Sequence, residues 1–372
     1  MIKSIIIKFI KNFYLTAPLF YTLFFWKKTK RCYQKTTPIT VNGKNGLPKI
    51  AFVCDEMTWQ DFKNECNALF VTPSNWYEAF LNFKPDLFFC ESAFRGIDAE
   101  PNSWEYRIYK NKLSFYENRK ELFDVIKYCK RNNIPTIFFN KEDPILFNNK
   151  RVNFIDTALH FDYIFTTAME CIPEYKALGC KNVHQQGFGF SPSIFFPDES
   201  IKKENTAVFA GSWFSNYETR CFQMIELFDF IIAQGIELII YNRFSDGKDP
   251  NKQFPIKYKP YIREKVKFDQ LGDIFRRSRY AVNINTVTDS ETMYARRVVE
   301  VMACGCIVIS NESKGLRSIF GKNIWFLNEE FDHNAEENIK KENIQKVFQE
   351  FTCSQKIKEI LSIVYEKKIE SK

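Results

Sequence analysis

Tyr280 to Asn285 reads YAVNIN, Thr286 to Met293 reads TVTDSETM, and Tyr294 to Ser310 reads YARRVVEVMACGCIVIS. The order is an apolar strand, a polar loop, a helix opening at Arg296, a sharp turn at Gly305 and a second apolar strand. Parallel strands need a crossover between them, so strand, helix and strand in this order form the repeating unit of a parallel sheet. The helix opens toward the carboxyl edge of that sheet, where its unpaired N–H groups and its dipole favour an anion such as a diphosphate. Arg296 and Arg297 lie in its first turn. Cations oppose the positive helix end, and a bound phosphate would resolve the conflict. Glu300 follows Arg297 by three positions and shares its face. A carboxylate there can accept hydrogen bonds from both hydroxyls of a ribose. An amphipathic helix with a surface Arg297–Glu300 ion pair is the other reading, and it is the combined order and spacing that favour a site.

The alternation extends outward in both directions. Before it, Lys49 to Asp55 (KIAFVCD), Asp86 to Glu91 (DLFFCE), Thr136 to Asn140 (TIFFN), Tyr163 to Thr167 (YIFTT) and Val183 to Gly187 read as strands. The clearest helix between them is Asn111 to Asn132, from the spacing of Leu113, Tyr116, Leu122, Val125, Ile126 and Cys129. Nearer the site, Thr206 to Gly211 (TAVFAG) and Ile236 to Tyr241 are strands, and Tyr217 to Gln234 and Leu271 to Ser278 are helices. After the site come a short helix at Gly315 to Phe320, a strand at Ile324 to Leu327, and two helices near Ala335 to Phe351 and Gln355 to Glu370. Thr36 to Leu47 and Ser191 to Asn205, with their prolines, glycines and polar residues, read as linkers. The expected organisation is an N-terminal segment and linker (1–47), a first α/β domain (48–195), a second (205–334) and closing C-terminal helices (335–372), with a cleft between the two domains as the default ligand site.

A chain of 372 residues accommodates two such domains. Its net charge of +8 suits anionic ligands such as sugar nucleotides, phospholipid headgroups or nucleic acid, and equally a generally basic solvated surface. No Lys/Arg block with interleaved aromatics points to nucleic acid as a partner. The 11 cysteines are odd in number and scattered, and with three histidines they show no metal-ligand spacing, so reduced thiols in a cytosol and no metal are expected. Asn12 to Trp26 is apolar between Lys8 and Lys11 on one side and Lys27, Lys28, Lys30 and Arg31 on the other. It is shorter than the ~20 residues of a spanning helix. Two readings stand: residues 1–35 meet an anionic membrane face, or they pack on the protein's own surface.

The run from Arg297 to Ile309 closely resembles the donor-site motif of GT-B glycosyltransferases. Arg-x-x-Glu followed by a Cys-Gly turn looks most like the spore-maturation (CgeB-like) group. Val208 to Trp213 (VFAGSW) with Arg220, Asn140 to Pro144 (NKEDP) ahead of FDYIFTT, and Glu91-Ser92-Ala93 resemble further motifs of that group. The resemblance covers Lys49 to Leu327. It implies two Rossmann-like domains facing a central cleft, a nucleotide-diphosphate sugar as donor substrate, no cofactor, and a glycan or lipid-linked acceptor such as a bacterial-type surface polysaccharide or glycolipid. Carried over, Glu300 binds the donor ribose, Arg297 and the helix N-terminus meet the diphosphate with Arg296 beside them, and Arg220, after the turn at Gly211 and Ser212, is a second phosphate clamp. Arginine suits that role because its planar fork bonds phosphate in a bidentate way. The chain departs from the pattern at one place. Many retaining members carry an earlier partner for the donor-site glutamate; here that place is Thr292, and Glu291 is one residue off. A non-catalytic relative that keeps the nucleotide pocket is therefore the competing expectation.

In the N-terminal half, Asp55 and Glu56 follow the first strand, Glu91 ends the second, and Glu142 and Asp143 follow the third. Carboxylates at a carboxyl edge can bind acceptor hydroxyls or deprotonate one. Asp143 and Glu142 are the candidate catalytic bases, and Asp55, Glu56 and Glu91 the candidate acceptor-binding groups. Asp143 has a second reading as a helix cap, with Pro144 at the first helical position. His160 and His184 are alternative bases with a structural role as the commoner use, and Trp59, Trp76 and Trp104 are stacking or core residues.

Overall fold

The computed structural model describes residues 36–43, 46–247 and 249–370, and side chains as far as residue 365. The proposed membrane-facing segment 1–35 lies outside the described residues. Among those described, no helix is long and apolar enough to cross a membrane.

The chain divides into two compact units. The first holds the described residues up to Trp59, Cys66–Thr166 and Cys171–His184. Its strands are β1 (Ile39–Val41), β2 (Lys49–Val53), β3 (Asn67–Phe70), β4 (Leu87–Glu91), β5 (Thr136–Asn140), β6 (Tyr163–Thr166) and β7 (Val183–Gln185). They run in the order β1-β3-β2-β4-β5-β6-β7. β2 pairs in parallel with β3 and β4, as do β4 with β5 and β5 with β6, while β1 runs antiparallel along β3. β4 and β5 are buried along their whole length, which is why they read as continuous apolar runs. The helices are α1 (Glu56–Phe62), which belongs to this unit only as far as Trp59, α2 (Trp76–Phe83), α3 (Lys120–Arg131), α4 (Ile155–Ala158) and α5 (Ile172–Ala177).

Three features differ from expectation. The stretch read as a linker contains β1, whose three residues pair with Phe70, Leu69 and Ala68. β3 is a strand that the sequence reading omits; at four residues it has too little length for its period to show. The helix expected from Asn111 starts only at Lys120. Ahead of it, Asn111 Oδ1 accepts from the N–H of Leu113 at 2.9 Å, Ser114 Oγ from Tyr116 at 3.1 Å and Glu117 Oε1 from Arg119 at 3.0 Å. These local side-chain bonds hold the backbone in turns and compete with the helix.

The second unit holds Gln60–Glu65, Thr167–Glu170 and Gln185–Lys372. Its strands are β8 (Glu204–Gly211), β9 (Glu237–Asn242), β10 (Ile262–Arg263), β11 (Ser278–Asn283), β12 (Ile307–Ser310) and β13 (Trp325–Phe326), in the order β10-β9-β8-β11-β12-β13. Every neighbouring pair is parallel. Counted from β8, this is the doubly wound dinucleotide-fold order, and the order reverses between β8 and β11. The helices are α6 (Glu218–Ala233), α7 (Leu271–Arg277), α8 (Arg296–Ala303), α9 (Lys314–Phe320), α10 (Glu336–Glu350) and α11 (Cys353–Glu370). Alternate β8 residues face opposite sides of the sheet. Val208 packs with α8 residues Val298, Val301 and Met302. Ala207 and Phe209 pack with α6 residues Met224, Leu227, Phe228 and Ile231. Both units are thus α/β with a largely parallel, Rossmann-like sheet.

Gly305 has φ of +73°, the left-handed turn that releases the chain from α8 into β12. Beside it the Lys203 ammonium donates to the carbonyls of Cys304 at 2.9 Å, Ser278 at 3.0 Å, Arg276 at 3.1 Å and Phe275 at 3.2 Å. The last carbonyls of a helix have no partner within it. One cation therefore satisfies the ends of both α7 and α8 and favours their negative poles. The described cysteines are all free, and all but Cys180 are buried.

Candidate functional site

In the second unit, the carboxyl ends of β8 and β11 flank the point where strand order reverses, the usual ligand crevice of such a sheet. β8 ends at Gly211, and α8 opens after the loop that follows β11. The Arg297 guanidinium donates to the Ala210 carbonyl and lies over the Phe209 ring, 5.0 Å from its centroid. A Cβ on Gly211 would stand 2.6 Å from the Phe209 ring and 3.2 Å from Arg297 Nη2, so the glycine chiefly leaves room for the ring over which the arginine lies. Arg220 Nη1 donates to the Ser212 carbonyl at 3.2 Å. The Arg243 N–H donates to the Gly211 carbonyl at 3.0 Å. Burial pulls the Arg297 pKa down to about 10; Glu300 opposes the shift, while the charges of Arg220 and Arg243 add to it. Three cations thus crowd the end of β8. Arg243 escaped the sequence reading, since nothing next to it in the chain marks it.

Glu300 is 3% exposed, and its Oε1 has no hydrogen-bond partner among the described residues. An acceptor that is both buried and unpaired is costly to keep in a free protein. Burial pushes its pKa up to about 7, with Arg296 and Arg297 pulling the other way. The folded protein therefore favours the protonated acid, and Glu300 costs stability as pH rises above its ordinary value of 4.5 toward and through about 7. The thermal midpoint of Glu300→Gln is accordingly expected to exceed that of the wild type at about pH 8, with the gap closing toward about pH 5. Equal pH profiles in the two proteins would overturn this. The predicted dipole conflict at Arg296 has a resolution within the protein. Its Nη1 lies 2.6 Å from Asp61 Oδ2, and both side chains are buried.

The loop between β11 and α8 is tied at several points. Thr292 Oγ1 donates to the Thr167 carbonyl and accepts from the Met169 N–H, each at 3.1 Å, and Ser290 Oγ donates to Glu170 at 3.0 Å. Thr292 is thus committed to holding the loop, and Glu291 is exposed. Nearby, Asn283, Asn285, Ser310 and Asn311 form a buried amide and hydroxyl network with bonds of 2.8 to 3.1 Å, in which Asn283 Oδ1 has no partner among the described residues. The sequence reading did not single these residues out, because asparagines at strand ends read as turn formers.

In the first unit, strand order reverses between β2 and β4, and the acidic residues collect there. Glu91 is fully buried; its Oε1 accepts from the Asp55 N–H at 2.8 Å and pairs with Lys141 at 2.9 Å, and Thr58 Oγ1 donates to its Oε2. Asp55 accepts from the N–H groups of Phe94, Arg95 and Gly96, each at 3.0 Å. Burial pushes the Asp55 pKa up, but Lys141 and those three N–H groups outweigh it and hold the carboxyl below its ordinary range. Glu56 accepts from the Asp98 N–H at 2.7 Å. Asp55, Glu56 and Glu91 are therefore bound up in shaping the loops after β2 and β4. Lys141, which neutralises two of them, was not anticipated. Glu142 is part-exposed beside it; burial raises its pKa, Lys141 opposes, and Glu91 and Asp55 add to the rise.

Asp143 lies elsewhere in the packing. It is 1% exposed and accepts from Asn140 Nδ2 at 2.7 Å, Thr166 Oγ1 at 2.7 Å and the Tyr175 hydroxyl at 3.0 Å. Burial pushes its pKa up to about 7, against the pull of the Thr166 and Tyr175 bonds. It caps no helix, because residues 141–148 form turns. Its oxygens are enclosed and occupied, which leaves Glu142 as the more accessible of the two candidate bases. His160 packs on Phe123 and His184 on Phe165. Trp59 and Trp104 are core residues, the latter donating to the Val71 carbonyl at 2.7 Å.

Residues 247–362 match a family model described as glycosyl transferase-like. The span takes in α8 with Arg297 and Glu300 and is less than half of the chain. Among curated proteins, none matches. Among solved structures, the chain is similar to a sucrose-phosphate synthase from Thermosynechococcus elongatus, at 12% identity and a TM-score of 0.45 over 81% of this chain and 78% of that one. It is similar to an alpha-glucosyltransferase in complex with UDP-glucose and DNA containing an abasic site, at 14% identity and a TM-score of 0.49 over 80% and 86%. A third is an alpha,alpha-trehalose-phosphate synthase (UDP-forming) from Burkholderia vietnamiensis, at 9% identity and a TM-score of 0.45 over 77% and 74%. The second unit of this chain therefore carries a glycosyl transferase-like segment whose helix α8 holds the buried glutamate and the crowded arginine.

Proposed function

We propose that the protein is a glycosyltransferase of the GT-B type, akin to the spore-maturation-like group, that takes a sugar from a nucleotide-diphosphate donor without a bound metal. The observation that carries this reading is Glu300, buried with an unpaired oxygen, on the helix whose Arg297 joins Arg220 and Arg243 at the end of β8. A ribose would supply the hydroxyl donors that Glu300 lacks. A diphosphate would bring negative charge to the place where the three arginines gather. Preorganised cations that meet charge as it gathers on the leaving diphosphate supply much of the rate enhancement in such a site. Glu142 is the proposed acceptor-side base, with Lys141 holding Asp55 and Glu91 in place beside it. The proposed acceptor is a surface polysaccharide, glycolipid or related glycan, reached from the cytoplasm, with residues 1–35 on the membrane face and no nucleic acid partner.

A nucleotide-sugar-binding protein without turnover is the second reading, supported by Thr292 being occupied in the loop while Glu291 is exposed. Release of free nucleotide diphosphate from a panel of sugar nucleotides, with and without membrane extract as acceptor, separates the two. The expected result is release from one donor, lost in Glu300→Ala. Tight nucleotide binding with no release from any donor would favour the second reading, and absence of both would reject the nucleotide site.

A further inference from the structure

The second unit recruits a short piece of chain from far upstream, Gln60–Glu65. That piece is fixed at several points: Ser191 Oγ donates to Glu65 at 3.1 Å, Ser354 Oγ donates to its other oxygen, and Asn64 donates to Ser193 at 3.1 Å. Asp61 is thereby set against Arg296, at 1% and 8% exposure, and the Arg296 guanidinium lies 5.1 Å from the Phe188 ring centroid. Arg296 and Glu300 are four residues apart on α8, so they lie on one face within mutual reach. Arg296 is also the charge that most opposes protonation of Glu300. A buried guanidinium that loses a carboxylate partner turns toward another carboxylate in reach, because poorly compensated buried charge is costly. On the same face of α8 that carboxylate is Glu300, whose Oε1 has no hydrogen-bond partner among the described residues.

We infer that Asp61 is a positioning residue for nucleotide recognition: it holds Arg296 away from Glu300, and so keeps the Glu300 carboxylate open to the ribose. This rests on the proposed role of Glu300. Without Asp61, Arg296 swings to Glu300 and closes the acceptor. Asp61 touches no ligand itself.

The test is calorimetric titration of the full chain with the tightest binder among UDP, GDP and ADP, and with its 2′-deoxy form. The ratio of the two dissociation constants reports the ribose contact. A hydrogen bond to a charged acceptor corresponds to a ratio of about tenfold or more in the wild type. Glu300→Gln is expected to reduce it to about threefold or less, and Asp61→Asn to do the same. Adding Arg296→Met to Asp61→Asn removes the guanidinium that closes Glu300 and is expected to restore the ratio. A merely structural role for Asp61 would weaken both nucleotides together, leave the ratio alone and gain nothing from the second substitution. An Asp61→Asn protein that keeps the wild-type ratio, while Glu300→Gln loses it, overturns the inference and leaves the ribose reading standing. Equal ratios in wild type and Glu300→Gln overturn both. Should Asp61→Asn fail to fold, the paired Asp61→Leu and Arg296→Met variant decides: a wild-type ratio supports the inference and a lost ratio overturns it.

Discussion

Arg297→Ala is expected to lower kcat/KM for donor turnover by about 10²- to 10³-fold, the loss typical when one preorganised charge donor is removed from a transition state. The same change is not expected to destabilise the free protein. Arg297 is desolvated and repelled by Arg220 and Arg243, which together pull its pKa down to about 10. Against this stand the Ala210 carbonyl, the Phe209 ring and the attraction of Glu300, itself a buried acid whose protonation burial favours. A site that holds like charges together in the absence of its ligand gives up stability for readiness, so removal relieves the fold while it damages the chemistry. Donor release assays and thermal unfolding on the same preparation read both effects. A thermal midpoint lowered by more than about 5 °C, a loss of roughly 2 kcal/mol, would mark Arg297 as structural. Unchanged turnover would remove it from the site.

Lys203→Met is expected to cost about 3 kcal/mol of stability, the order seen when buried acceptors lose a charged donor. The methionine fills much of the same volume, so lost packing contributes little. What goes is the single cation that serves the carbonyls of Phe275, Arg276, Ser278 and Cys304, where α7 and α8 end. Lys202→Met, one residue earlier and exposed, is the control, with an expected change within about 0.5 kcal/mol. Denaturant unfolding of the two variants gives the comparison, and equal losses would show that Lys203 has no special role.

Much of the fold was legible because its signals are local. The segment from β11 to β12 contains a strand, a helix start, a left-handed glycine and another strand in one continuous run. The buried strands β4 and β5 stood out for the same reason. The order of strands in each sheet was not legible, since pairing joins residues distant in the chain, and β3 was too short to show a period. The helix before Lys120 was misjudged because Leu113 and Tyr116 fit the helical spacing, while Asn111, Ser114 and Glu117 favour turns. Within the site, Glu300, Arg297 and Gly211 were readable as one neighbourhood from their motifs. Asp61 was not, because 235 positions separate it from Arg296. Lys141 was overlooked among the acids read as carrying the chemistry, yet its charge lies against both Asp55 and Glu91 and offsets their repulsion. Asp143 drew attention as an acid after a strand, and only the enclosing Asn140, Thr166 and Tyr175 reveal how fully it is engaged.

The patchwork make-up of the second unit bears on how this chain can be dissected. A fragment beginning at Gln185 would contain every strand of the second unit's sheet and look complete on a secondary-structure map. It would nonetheless lack Asp61 and the Thr167 carbonyl, leaving Arg296 buried without its counter-ion and Thr292 without its anchor. Removing one partner of a buried ion pair costs about 3–5 kcal/mol, a large part of the stability of an ordinary domain. The linear boundary and the cooperative one therefore differ. For expression of parts, grafting onto other scaffolds or exchange of halves between related chains, the segments 60–65 and 167–170 travel with the C-terminal half even though the gene places them in the other.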